Sequence, residues 1–205
     1  MSKLLDMRKS VTDKLMRDAI CEAGKVALAE VGFSALTMER VAEAAGVSKG
    51  TLYNYFRDKD ALALEIASGV SHPVHEELVR LILEAKDIRR ALVQVAGAVF
   101  NYVDNQRALA QVLCGGELPP MAEAAFRRDQ LVLRDHVAEL FRRAQDEGIL
   151  RADCDDPALA ARLFMLTLHG VLEERILHLE DCPSLEPELA FFEQNVIKPW
   201  FKEAK

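Results

Sequence analysis

Glycine and proline are scarce, with 10 and 7 in 205 residues, and aromatic residues make up only 6%. With few runs of Val, Ile or Thr, the turn-rich punctuation of an all-β chain is missing. The four cysteines, Cys21, Cys114, Cys154 and Cys182, are too widely spaced for a CxxC pair, which excludes the redox and zinc motifs built on that spacing. No uninterrupted apolar run approaches the roughly 20 residues of a membrane span. The opening residues, Met1 to Asp6, carry no apolar stretch of signal-peptide length. A reducing cytoplasm is therefore the expected address, with no membrane partner. Gly-x-Ser-x-Gly, Walker and His-Glu-x-x-His motifs are absent from the sequence, so hydrolase, nucleotide-binding and metalloprotease chemistry have no visible support.

What is present is the composition of a globular chain, 50% hydrophobic and 29% charged, in which helices are the favoured element. The formal net charge is −7 with a pI near 5.3, which argues against coating nucleic acid by bulk charge. Its distribution is uneven. Residues 1 to 60 hold 10 Lys+Arg against 9 Asp+Glu, a sum of +1, and residues 61 to 205 hold 16 against 24, a sum of −8.

The apolar spacing predicts an all-α fold. From Lys14, the positions Leu15, Ala19, Ala23, Val26 and Ala27 mark a first amphipathic helix that Gly32 ends. Thr37 can cap a second helix carrying Met38, Val41, Ala42 and Ala45, which Gly46 closes. Ser48 can cap a third, through Leu52 and Tyr55, and Asp58 a fourth. Longer helices follow. Ile88, Leu92, Val95, Val99 and Tyr102 share one face, as do Phe126, Leu133, Val137, Leu140 and Ala144, with Pro119-Pro120 as the break between and Gly148 as the stop. Asp156 caps a helix with Pro157 at its first position, apolar nearly all round. The last presents Leu185, Leu189, Phe192, Val196 and Trp200 along one seam.

One spacing carries chemistry. Two helices that cross over a short turn need a small residue at their contact, a residue free to be left-handed at the bend, and apolar inner positions. Ala42, Gly46 and Leu52 meet those needs in order. The outer face of the second helix then offers Lys49, Gly50, Thr51, Tyr53 and Asn54, a surface suited to a DNA major groove. From the residues alone, Thr37, Ser48 and Asp58 can be caps only, Tyr53 and Tyr55 half-buried core, and Lys59 a solvated charge.

The string from Phe33 to Phe56, with Gly46-Val47-Ser48-Lys49-Gly50-Thr51-Leu52-Tyr53 at its centre, and on through Lys59-Asp60-Ala61-Leu62, resembles the TetR family of bacterial transcriptional regulators. The resemblance implies a three-helix helix-turn-helix DNA-binding domain over residues 10–69. It implies a larger effector-binding and dimerisation bundle over residues 70–205. Thr37 and Ser48 resemble helix-start hydroxyls that touch phosphate, Lys49, Thr51, Tyr53 and Asn54 groove-facing positions, Gly50 a point of close backbone approach, and Tyr55 and Lys59 phosphate clamps. The basic arm Arg8, Lys9, Lys14 and Arg17 adds further phosphate contacts in this reading. Two features depart from the common pattern: acidic Glu39 near the start of the second helix, where many relatives carry a neutral or basic residue, and Arg40-Val41 in place of Asp-Ile.

Further expectations follow from the same resemblance. The protein is a regulator rather than an enzyme, most simply a repressor that binds an inverted-repeat operator as a homodimer and is released by a small apolar or aromatic effector. The segments 157–180 and 185–201 supply the dimer interface, with Gly170 where two backbones approach. Phe100, Cys114, Met121, Phe126, Phe164, Met165 and His169 lie on segments that line the effector cavity in relatives. Pro73 should kink the fourth helix or make it restart at Ser71. No cofactor, catalytic residue or metal is expected. The pairs His72/His75, His169/Glu173 and Glu174/His178 lack the Glu-x-x-His pattern of di-metal bundles. Cys154 and Cys182 would sit ~35 Å apart at the two ends of one helix, too far to pair within a chain.

Overall fold

Why helices dominate is visible at their ends. Thr37 Oγ1 accepts the Arg40 amide at 3.2 Å and Ser48 Oγ accepts that of Thr51 at 3.0 Å. Asp58 Oδ1 accepts the Ala61 amide at 2.8 Å, and Asp156 Oδ1 those of Ala158 and Leu159, both at 3.0 Å. Each satisfies amides that a helix start leaves without a partner. The computed structural model describes residues 2–115, 118–178 and 184–203. Its elements are α1 (Ser2–Ala35), α2 (Met38–Ala45), α3 (Lys49–Tyr55), α4 (Lys59–Leu83), α5 (Ile88–Asn105), α6 (Arg107–Cys114), α7 (Pro120–Asp146), α8 (Pro157–Leu177) and α9 (Leu185–Phe192), the last continuing as a π turn (Glu193–Ile197) and a 3-10 turn (Lys198–Trp200). The fold is all-α. Among the described residues the extended pairing is one isolated antiparallel bridge, Leu150 to Phe201.

The chain divides into two compact units, one running from its start to Val70 together with Ala108–Phe126, the other Ser71–Arg107 with Arg127–Lys205. In the first, α1 buries Ile20, Ala27 and Leu28, α2 buries Met38, Val41 and Ala42, and α4 adds Leu62, Ala63 and Ile66. The inward face of α1 is therefore set off from the expected stripe: Leu15 and Val26 are exposed, and Ile20, Gly24 and Leu28 point inward. The cause is that Ala was counted as equal to larger side chains, whereas Ile20 and Leu28 have more area to remove from water. Gly24 adds close approach, since a Cβ there would stand 3.0 Å from Ile66 Cδ1. At Gly32 the backbone leaves the helical region, with φ 72°.

The second unit has its core between α5, α7, α8 and α9, with Leu78 and Ile82 of α4. Phe192 receives Phe100 and Phe164 edge-on, with centroids 5.8 and 6.0 Å away. Leu185, Leu189, Val196 and Trp200 pack against this same core, so the α9 seam expected at a dimer interface faces its own chain. α8 behaves differently. Ala160, Ala161, Phe164 and Leu168 are buried, while Leu159, Leu163, Leu166 and Leu177 are exposed at 49, 46, 57 and 58%. From Leu159 to Gly170 that outer row steps 4, 3, 4, and at Gly170 a Cβ would meet nothing within 4 Å. Arg175 is 2% exposed and binds both Asp104 oxygens, at 2.7 and 2.8 Å, together with Glu188. It thus joins α5, α8 and α9.

Two features of the helices were left open by the sequence or missed by it. α4 does not restart at Ser71; it runs unbroken from Lys59 to Leu83 with Pro73 inside. Between the proposed fifth helix and Pro119-Pro120 stands α6, which was not expected. It is eight residues long, and Leu109, Ala110, Val112 and Leu113 are buried on it.

Candidate nucleic-acid interface

Three residues, Gly46 to Ser48, separate α2 from α3. Gly46 takes φ 66° and ψ 27°, its amide lies 3.1 Å from Glu43 O, and the Val47 amide lies 3.0 Å from Ala42 O. This left-handed closure is one that an L side chain disfavours. Val41 and Leu52 are fully buried, and Ala42 nearly so, so the small and apolar positions face inward as the spacing required. What remains outward on α3 is Lys49, Gly50, Tyr53 and Asn54. Tyr53 is a large aromatic ring 45% exposed on a seven-residue helix.

The other expected contact residues are partly engaged within the protein. Thr37 and Ser48 both cap helices, and Ser48 Oγ also lies 2.8 Å from Thr51 Oγ1. Thr51 is half-buried. Tyr55 donates its hydroxyl to Asp13 at 3.4 Å. Lys59 stands 4.5 Å above the Phe33 ring and donates to the Phe33 carbonyl at 3.3 Å, closing the end of α1. Arg17 leaves the expected basic arm altogether. Its guanidinium binds both oxygens of Glu65 and covers Phe56, whereas Arg8, Lys9 and Lys14 are exposed.

Sequence reasoning missed one member of this surface. Glu39 accepts a hydrogen bond from Lys49 Nζ across the α2–α3 turn. That bond holds the Glu39 carboxyl below its ordinary pKa and the Lys49 ammonium above its own. The signal was the departure from pattern at Glu39 itself; its partner needed coordinates.

The seven residues expected around an effector fall in both units. Phe100 and Phe164 are buried against Phe192, and Met165 packs at the margin of that cluster. His169 is exposed on α8. Met121, 64% exposed, and half-buried Phe126 belong to the other unit, and the Cys114 side chain and Cys182 lie outside the described parts. Two surface hollows, of about 360 and 670 Å³, include none of the seven in their linings. Among the described residues no group of three or more His, Cys, Asp or Glu is placed to hold a metal ion. There too, no helix is long and apolar enough to cross a membrane.

An N-capped pair of short helices over a three-residue turn, apolar within and polar-aromatic without, is the arrangement of a helix-turn-helix, the motif that lays its second helix in a DNA major groove. The family described as bacterial regulatory proteins, tetR family, matches residues 20–66. UidR of Escherichia coli K12, an HTH-type transcriptional regulator, is 26% identical over 161 residues, 77% of this chain and 80% of UidR. SmeT, the repressor of the Stenotrophomonas maltophilia multidrug efflux pump SmeDEF, shares the fold with a TM-score of 0.77 at 24% identity, over 92% of this chain and 91% of SmeT. FadR of Bacillus subtilis in complex with stearoyl-CoA does so at 0.74 and 17%, over 88 and 97%. The helix-turn-helix region is that of the TetR family, and the relatives that match most of the chain are HTH-type transcriptional regulators and not enzymes.

Proposed function

We propose that the protein is a repressor that binds an inverted-repeat operator as a homodimer and is released by a small apolar or aromatic effector. The observation that carries the DNA half is the row Lys49, Gly50, Tyr53 and Asn54, turned outward over buried Val41 and Leu52. Lys49, Thr51, Tyr53 and Asn54 read the groove, Gly50 admits the backbone closely, and Thr37, Ser48, Tyr55 and Lys59 meet phosphates on either side. The phosphate contacts of Tyr55 and Lys59 exchange with their bonds to Asp13 and Phe33. Residues 10–69 form the reading head in this proposal. Residues 70–205 dimerise through the outer leucine row of α8 and accept the effector beside the apolar cluster of Phe100, Phe164 and Met165. A twofold dimer presents two heads and so selects an operator of matching symmetry. The cytoplasm is the proposed compartment.

The two structural relatives lend support of different kinds: SmeT is called a repressor, and FadR holds a ligand with a long acyl chain. The test is selection of bound sequences from random duplex DNA. An enriched inverted repeat is the expected result; no enrichment at all would sink the reading. Addition of acyl-CoA or small aromatic compounds to the selected complex then tests release.

A further inference from the structure

Glu39 and Arg40, two of the three residues at which this chain departs from the common family pattern, make ion pairs between helices. Arg40 Nη2 lies 3.3 Å from Glu30 Oε2 on α1. Glu39 holds Lys49, which is the sole cationic residue in the α3 sequence. The two side chains of this second pair are 54 and 55% exposed, so the bond is open to exchange on the face that DNA would meet. Lys49 is held charged rather than neutral. The pair is therefore a competition between carboxylate and phosphate for one ammonium, with no proton gained or lost at neutral pH.

That competition has a direction. DNA that offers only phosphates must take Lys49 from a carboxylate it already binds, and the released Glu39 then faces oxygens of its own sign. DNA that offers the right base edges gives both groups new partners, because a Lys ammonium donates to guanine O6 and N7 and a carboxylate accepts from the cytosine N4 amino group. We propose that Glu39 is a specificity-determining residue of the reading head: bonded to Lys49, it lowers affinity for DNA that offers phosphate alone and so widens the gap between operator and random sequence. The inference rests on the DNA-binding reading above and adds to it a residue that works by subtraction.

The experiment uses the full chain, the operator found by selection and a scrambled duplex of equal length. Dissociation constants are measured across a salt series for wild type, Glu39→Gln, Lys49→Ala and the double variant. Glu39→Gln is expected to bind the scrambled duplex roughly 3- to 10-fold more tightly near 0.1 M salt. Its plot of log K against log salt should steepen by about 0.9, the release of one further counterion. The operator gains less, the operator-to-scrambled ratio narrows, and the effect disappears in the Lys49→Ala background. A folded Glu39→Gln protein with wild-type slope and ratio overturns the proposal, as does an equal gain without Lys49. Because Glu39 also sits in the first turn of α2, where a carboxylate favours the helix dipole, helicity is followed in each variant. Glu39→Ala, with the same expected slope, serves if Glu39→Gln is poorly folded. No enriched sequence in the selection removes the DNA reading itself, whereas an operator with an unaltered slope removes only the role of Glu39.

Discussion

Arg17 and Glu65 meet as a parallel fork, Nε on Oε1 at 2.9 Å and Nη2 on Oε2 at 3.0 Å. The same guanidinium lies 4.6 Å from the centre of the Phe56 ring and donates to the Tyr55 carbonyl at 3.3 Å. One side chain of α1 thus holds the end of α3 to the start of α4. The Arg17 hydrogen bond, outweighing partial burial, lowers the pKa of Glu65. A carboxyl depressed in the folded state contributes stability above its unfolded value, about 4.3, and loses it as pH falls through the folded value. Because both side chains are about two-fifths exposed, Glu65→Gln should cost only about 0.5–1 kcal/mol at pH 7. Urea unfolding should show that difference constant above about pH 5 and shrinking toward pH 3. A difference that grows on acidification would contradict the fork.

At Gly46 the expected cost is conformational. Its φ of 66° is the left-handed region, and a Cβ there would meet nothing within 4 Å, so no clash confuses the measurement. Gly46→Ala should destabilise the protein by about 1–2 kcal/mol, and Gly46→Asn by less, since Asn tolerates that region. Thermal melts of the pair decide it, and an Ala variant as stable as wild type would mean the turn has rearranged.

The reading head was legible because its constraints are local. A cap, a small residue, a left-handed glycine and two apolar contacts fall within twenty residues, and each obeys a short-range rule that the sequence displays directly. The bundle was legible only as helices. Period 3.6 places Leu189 and Phe192 on one stripe of α9 yet cannot say whether that stripe meets its own core or a partner, and it met its own. Pairings between distant segments were the least visible. Arg17 with Glu65, Glu39 with Lys49 and Arg175 with Asp104 join residues whose proximity depends on how helices pack. For that reason the sequence alone shows Arg17 only as part of a basic arm and gives no sign of the partners of Arg175.

Cys21 tests the same neighbourhood by reactivity. Burial, with the nearby Glu65 carboxylate, pushes its thiol up to about 11. At pH 8 its thiolate fraction is then on the order of one in a thousand. A variant with Cys114, Cys154 and Cys182 changed to Ser should label slowly with a thiol-specific reagent while folded, and rapidly in urea. Fast labelling of the native protein would show that Cys21 is accessible and ionised.

Arg175, itself buried, neutralises Asp104 of α5 and Glu188 of α9, whose side chains keep 29 and 18% of their surface in water. Arg175→Ala leaves Asp104 and Glu188 without a counter-charge; because water reaches both carboxylates, the cost is about 2–3 kcal/mol rather than that of a fully buried charge. The expected result is a large loss in the urea midpoint. Adding Asp104→Asn to Arg175→Ala should recover part of it, because one uncompensated charge is then gone. A recovery of nothing would mean the loss came from packing around Phe100 rather than from charge.

The outer row of α8 is the face on which the proposed dimer can be tested. Leu159, Leu163 and Leu166 expose apolar surface in steps of four and three, Leu177 exposes more on the last turn, and Gly170, four residues after Leu166, leaves open space between them. A second copy laid on this face would remove the leucines from water and bring its backbone close at Gly170. Leu166→Glu introduces a charge that such an interface would have to desolvate, and Gly170→Leu fills the space that a neighbouring helix would need. Both variants should shift the protein from dimer to monomer in sedimentation at low micromolar concentration, with helicity unchanged since neither position faces the protomer core. Either variant sedimenting as wild-type dimer would place the interface elsewhere, and a monomeric wild type would remove the twofold reading of the operator with it.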